Sequence, residues 1–203
     1  MEKGNTKFAI LSAALDLFSS QGYEATSISQ IAEAVGIRKA SLYSHFDSKQ
    51  AILDALIERV LEGYEKTSIF SRSSGMSDDE RPKNCDQVVQ GVKRQLDYIL
   101  HDPFISKSRK MLTIEQFRNP ELAALQTKQN YIDVTRYFTD LVIYLQKQGA
   151  LCDGDCDIMA AQLCLPITVW INLCDREPER EAEIMLLTEK HIRQFFKLYQ
   201  PKA

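Results

Sequence analysis

Between Arg38 and Lys49 the chain collects Arg38, Lys39, Ser41, Tyr43, Ser44, His45 and Lys49. Cations, hydroxyls, a phenol and an imidazole at this density are the groups that grip phosphate oxygens and read the edges of base pairs. Tyr43, His45 and Lys49 put two hydrogen-bonding rings and a cation at the end of one segment and the start of the next, where phosphates are held. Ser27, shortly upstream, adds a further hydroxyl. The plainer reading is the solvated face of an ordinary helical hairpin, and the elements that carry these residues decide between the two.

Ser27 followed three residues later by Gln30 is a capping-box signature. The hydroxyl accepts from one orphan backbone N–H while the amide reaches back to another. Ile28, Ile31, Ala32 and Val35 then recur at helical spacing and give one apolar face. Gly36 ends that helix, because glycine enters the left-handed conformation of a tight exit without steric cost. Ile37 is the buried pivot of the turn. A second helix runs from about Lys39 to Phe46, with Leu42 and Phe46 inward and the polar residues elsewhere on its surface. Asp47 and Ser48 cap the helix after it. Residues 27–46 thus read as a helix-turn-helix, a device that lays its second helix in the major groove of DNA.

Residues 4–64 resemble the DNA-binding domain of the TetR family of bacterial transcriptional repressors. The matching pattern is Leu17-Phe18, then Gly22-Tyr23, then Thr26-Ser27-Ile28-x-x-Ile31-Ala32-x-Ala34-x-Gly36-Ile37, followed by Leu42-Tyr43-x-His45-Phe46-x-Ser48-Lys49-x-x-Ile52-Leu53. Ala40 stands where glycine is frequent in the family, and Arg38 stands where a small hydroxyl residue often caps the recognition helix. Alanine is small and favours helix; Arg38 suggests a base or phosphate contact and leaves the cap of that helix open. Carried over position by position, the resemblance implies base-edge contacts for Arg38, Lys39 and Ser44. It implies phosphate or positioning contacts for Ser27, Ser41, Tyr43, His45 and Lys49.

Composition bounds the rest. A chain of 203 residues with 44% hydrophobic content can hold one or two domains with a real core. The net charge is −3, and residues 1–64 carry six Lys or Arg against eight Asp or Glu. Residues 36–49 reverse the balance locally, with Arg38, Lys39 and Lys49 against Asp47 alone. Affinity for DNA follows the charges that touch phosphates, not the sum over a domain. Neither a secretory leader nor an apolar run long enough for a membrane span is expected, so the cytoplasm is the expected compartment. Reduced thiols suit that compartment, and the five cysteines read mainly as small apolar residues. The run from Cys152 to Asp157, with two thiols and three carboxylates, mixes soft and hard ligands without a histidine nearby. It reads as a capped loop before a helix, and no metal or cofactor is expected. His45, His101 and His191 lie far apart, and no Gly-rich phosphate loop, GxSxG or HExxH is present, so the chain does not read as an enzyme.

No strand-like alternation or internal repeat occurs, and the fold class is all-α with about nine helices. A first helix at about 5–20 carries Phe8, Leu11, Leu15 and Phe18 on one face, broadened by Ile10, Ala14 and Leu17. A longer helix runs from 48 to about 68. Polar residues 71–84, broken by Gly75 and Pro82, read as a linker or loop. A helix at about 86–101 follows, then helix starts at Asp102-Pro103 and Asn119-Pro120. The second of these opens a helix reaching about Gln148, closed by Gly149. The last two helices lie at about 155–175 and 178–199. The domains expected are a DNA-binding domain at 4–64 and a ligand-binding and dimerisation domain at 65–203.

The helix at 155–175 is apolar nearly all round, so it should be buried on both sides, and a second subunit would do that. The resemblance implies a homodimer through a bundle of the last two helices, placing two reading helices about 34–36 Å apart on a pseudo-palindromic double-stranded operator. It also implies a cavity among the middle helices for a small apolar or aromatic ligand. Tyr98, Phe104, Met111, Phe117, Tyr131, Phe138 and Trp170 are the candidate walls, although most aromatic residues on helices are core. Pro166 should kink its helix beside Trp170 and free a backbone carbonyl. A protein of the same fold with no small-molecule inducer is the competing expectation.

Overall fold

A computed structural model describes residues 3–68, 70 and 80–201. Among these every regular element is helical: α1 Lys3–Gln21, α2 Ile28–Val35, α3 Lys39–Tyr43, α4 Lys49–Thr67, α5 Cys85–His101, α6 Pro103–Glu115, α7 Pro120–Thr127, α8 Asp133–Lys147, α9 Cys156–Arg176 and α10 Glu181–Leu198. A π turn, Lys128–Ile132, joins α7 to α8 without a break, and Pro178–Arg180 form a 3-10 turn before α10. The described residues therefore carry nine separate helices. The long helix predicted from Asn119 to Gln148 is present but contains that π turn, one wider hydrogen-bonded loop that periodicity does not announce. Most of the predicted linker, 71–79, lies outside the described residues. Past it, the Asn84 side chain accepts from the backbone N–H of Gln87 at 3.0 Å and starts α5.

The chain divides into two compact units. The first contains α1–α4 and takes in residues 103–126 as well. Ile10, Ala14 and Phe18, spaced four apart, form the inner stripe of α1 and are fully buried. Phe8 was expected on that stripe, but it sits at its edge and is 51% exposed. Ile31 of α2, Leu42 of α3, and Ile52, Leu53 and Leu56 of α4 close on the same core. Met111 and Leu112 of α6 and Leu122 and Leu125 of α7 complete it. The unit is thus larger than the segment 4–64 drawn from sequence, because the reading helices alone leave one side of α1 uncovered. Lys107 of α6 pairs with Asp16 of α1 on the outside.

The second unit contains residues 68–102 and everything described from Thr127 onward. Val88 and Leu96 of α5, Phe138, Val142 and Leu145 of α8, Leu163 and Ile167 of α9, and Ile192 and Phe195 of α10 form its core. Asp155 caps α9, its carboxylate accepting from the backbone N–H groups of Asp157 and Ile158 at 3.0 and 3.1 Å. Gln146 donates to the carbonyls of Cys152 and Gly154, and the Cys156 thiol donates to Gln146 Oε1 at 3.0 Å. The Cys152–Asp157 run is therefore a capped loop. Among the described residues no group of three or more His, Cys, Asp or Glu is arranged to hold a metal ion.

Pro166 lies inside α9 as predicted. One turn earlier, the carbonyl of Leu163 accepts from His191 Nε2 at 3.0 Å, and Trp170 packs edge-on against the His191 ring at 5.4 Å. By length and composition α9 is apolar enough to cross a membrane, contrary to the expectation from sequence. Only 28% of its most apolar 18-residue stretch is buried within the chain. Ile158 and Val169 of α9, with Leu186 and Leu198 of α10, are more than half exposed.

Candidate nucleic-acid interface

The reading elements are built as the residues dictate. Ser27 Oγ accepts from the Gln30 N–H at 3.2 Å, and Gln30 Oε1 accepts from the Ser27 N–H at 2.8 Å, closing the capping box. Gly36 adopts φ +73°, ψ +30°, and the N–H groups of Gly36 and Ile37 return to the carbonyls of Glu33 and Ala32, each at 2.9 Å. This exit turns the chain into α3. Arg38 sits at the N-cap of α3 in extended conformation and makes no side-chain capping hydrogen bond. Its guanidinium is thereby left to solvent, with no intramolecular duty at the helix start.

α3 is only five residues long, shorter than the predicted 39–46, although His45 and Phe46 still donate backbone bonds to Leu42. Leu42 and Phe46 face the core, at 0% and 5% exposure. Arg38, Lys39, Ser41, Tyr43 and Ser44 are all exposed, and His45 is half-buried. Ser27 is also exposed at the start of α2. One surface therefore displays two cations, hydroxyls and a phenol on a rigid apolar platform, which is what contact with phosphates and base edges requires. Ser44 Oγ donates to the Ser41 carbonyl at 2.7 Å, keeping its lone pairs outward. Lys7 of α1 lies over the Phe46 ring at 5.3 Å, a cation beside the same surface that sequence reasoning did not single out.

Lys49 differs from the other expected contacts. Its Nζ donates to the backbone carbonyls of Tyr23 at 2.8 Å and Thr26 at 3.0 Å, and lies 4.1 Å over the Tyr23 ring. Two of its three donors are spent inside the protein, so its work in the fold is to tie the start of α4 to the connection before α2. Glu115 ties the other side of that connection, accepting from the Tyr23 N–H at 2.8 Å while itself only 3% exposed. The Thr26 hydroxyl is buried and donates to the Gly22 carbonyl at 2.8 Å. Tyr23 and Thr26, which the sequence analysis gives only as pattern residues, and Glu115, which it does not name, are positioning residues. Glu115 lies 92 positions from Tyr23, and no local pattern marks it.

The expected ligand-pocket residues are divided between the units. Phe104, Met111 and Phe117 belong to the first, and Tyr98, Tyr131, Phe138 and Trp170 to the second. Met111 and Phe138 are core residues, while Phe117 and Tyr131 are 89% and 56% exposed. Tyr98 and Trp170 are half-buried. Phe104 lines a cavity of the first unit, and none of the other six lines it.

Residues 10–56 match the family model for bacterial regulatory proteins of the tetR family. The chain is 26% identical over 181 residues to the HTH-type transcriptional regulator UidR of Escherichia coli K12, covering 87% of this chain and 86% of that protein. It is 46% identical over 52 residues to IcaR of Staphylococcus aureus Newman, negative regulator of the biofilm operon icaADBC, covering 26% of this chain and 28% of that one. The fold matches SmeT, the repressor of the Stenotrophomonas maltophilia multidrug efflux pump SmeDEF, with a TM-score of 0.65 and 20% identity over 97% of this chain and 91% of that one. A SmeT–triclosan complex matches with a TM-score of 0.62 at 20% identity, covering 98% and 93%. The reading elements of this chain thus match the tetR family model over residues 10–56, and its described helices share the fold of SmeT.

Proposed function

We propose that the chain is a cytoplasmic, homodimeric repressor that holds a pseudo-palindromic operator and leaves it when a small apolar or aromatic ligand binds. The observation that carries the reading is the exposed set Arg38, Lys39, Ser41, Tyr43 and Ser44 on α3, backed by fully buried Leu42. Arg38, Lys39 and Ser44 read base edges; Ser27, Ser41, Tyr43 and His45 hold phosphates. Lys49 supports them from behind, with its remaining donor available to a phosphate. The exposed apolar residues of α9 and α10 support pairing with a second copy, since such a surface costs free energy in water. That two relatives are named as a repressor and a negative regulator supports repression over activation.

α4 runs unbroken from the Lys49 anchor to Thr67, so displacement of its far end reaches the reading elements. A ligand that favours a different half-site spacing by a few kcal/mol suffices to empty the operator. SmeT binds triclosan, which supports a ligand of that general size and polarity here. A second reading, the same DNA-binding protein without an inducer, draws on Met111 and Phe138 being core rather than cavity walls.

Fluorescence anisotropy with the chain's own upstream promoter fragment at low salt, beside light scattering for oligomeric state, tests the proposal. The expected result is a dimer that binds the fragment and weakens as salt rises. A monomer that ignores the fragment would refute it. Operator affinity unchanged across a ligand screen would decide for the second reading.

A further inference from the structure

The first unit contains a cavity of about 170 Å³ bounded by α1, α4 and α6. Its floor is aliphatic: Leu11, Leu15 and Leu56, all at or below 9% exposure. Its walls are two aromatic rings, Phe8 and Phe104. Between them lies the Arg59 guanidinium, 4.5 Å from the Phe8 centroid and 5.2 Å from that of Phe104. Among the described residues Arg59 has no carboxylate partner. The other cation at the rim, Lys107, is already neutralised by Asp16.

We propose that this cavity is a binding site for a single-ring aromatic carboxylate, an inference that does not depend on the proposed function. Size selects the ring. A cavity near 150 Å³ lined by apolar side chains accommodates benzene, whereas drug-sized ligands need roughly 300 Å³ or more. Charge selects the acid. A guanidinium held over the Phe8 and Phe104 rings keeps its planar donor fork, and a carboxylate meets such a fork with two parallel hydrogen bonds. Asp16, held by Lys107, does not compete for the fork. Phe8 at 51% exposure is the door: an outward ring on the first turns of α1 that a bound ring would cover. Because the walls come from α1 and α4, which also carry and brace the reading helices, occupancy stiffens the unit that displays α3.

The test uses the full-length chain with ¹³C-labelled leucine methyls and benzoate as the probe, with benzyl alcohol as its neutral counterpart. The expected result is a saturable shift of the Leu11, Leu15 and Leu56 methyls with benzoate, and binding about tenfold or more weaker for benzyl alcohol, which lacks the charge-assisted pair. Arg59→Gln, checked for folding by circular dichroism, should bring the two probes to equal affinity. Methyl shifts confined to the second unit, equal affinity of the two probes for the unaltered chain, or undiminished benzoate binding by Arg59→Gln would each overturn the proposal. Failure of operator binding would overturn the proposed function and leave these methyl shifts untouched.

Discussion

Replacing Gly36 by alanine isolates backbone strain from steric conflict. Gly36 sits at φ +73°, and a Cβ built there meets nothing within 4 Å. The left-handed conformation costs an L-residue about 1–2 kcal/mol, partly offset by the reduced freedom of alanine in the unfolded chain. Gly36→Ala should therefore destabilise the first unit by about 1 kcal/mol. Gly36→Asn should recover much of that, because asparagine tolerates this region. Gly22 is the contrasting case: it sits at φ +86°, and a Cβ would lie 3.0 Å from Glu115 Oε1 and 3.4 Å from Ile114 Cγ2. That carboxylate already accepts from the Tyr23 N–H, so Gly22→Ala also pushes on a part-buried, charge-assisted bond whose full loss would cost roughly 1.5–3 kcal/mol. With that bond lost the sum reaches about 3 kcal/mol, some three times the effect at Gly36. Amide exchange of the core residues Ile31, Leu42 and Leu53 reads the stability of this unit without averaging over the second. A neutral Gly36→Ala, or one as damaging as Gly22→Ala, would refute the separation of strain from clash.

Lys49→Ala removes two hydrogen bonds to backbone carbonyls and should lower the stability of the first unit by about 2 kcal/mol as well as operator affinity, whereas Lys39→Ala should leave stability unchanged and alter which operator sequence is preferred. Matching denaturation midpoints for the two variants would contradict this sorting. His101 is raised above its ordinary pKa of 6.5, first by its hydrogen bond to Asp97 and then by the charge of Glu181. Its contribution to stability is therefore fully present below pH 6.5 and fades as pH rises through the raised value; an NMR titration placing His101 at or below 6.5 would count against it. Burial pushes the Cys164 thiol up to about 12, so alkylation near pH 8 should modify the half-buried Cys85, Cys152 and Cys156 well before Cys164. Mass mapping that finds Cys164 among the first modified would contradict that order.

The reading elements were legible because each device is local. A capping box spans four residues, a left-handed glycine is one residue, and an apolar stripe repeats every turn, so 27–46 could be assigned from the chain alone. The same holds for the capped start of the helix at 155 and for Pro166, whereas Asn84 reads in sequence only as the end of a polar linker and starts α5 as a cap in the structure. What escaped depends on distant partners. The membership of α6 and α7 in the first unit rests on Met111 and Leu122 meeting Ile10 and Phe18, which no sequence spacing encodes. Lys49 carries the residue type of a phosphate contact, and only the positions of the Tyr23 and Thr26 carbonyls show where its donors go. The residues read as walls of one cavity fall in two units, with Phe117 and Tyr131 exposed, because facing requires the packing of helices far apart in the chain.

The anchor at the start of α4 is made to main-chain oxygens, and this frees the surface it supports. Those oxygens belong to the backbone at 23 and 26, and a side chain exchanged at 38, 39 or 44 touches none of them. Recognition can accordingly be rewritten by swapping the outward residues alone, as one changes the teeth of a key while keeping its blade. A graft of those few positions from a relative with a known target is the natural route to a regulator of altered address.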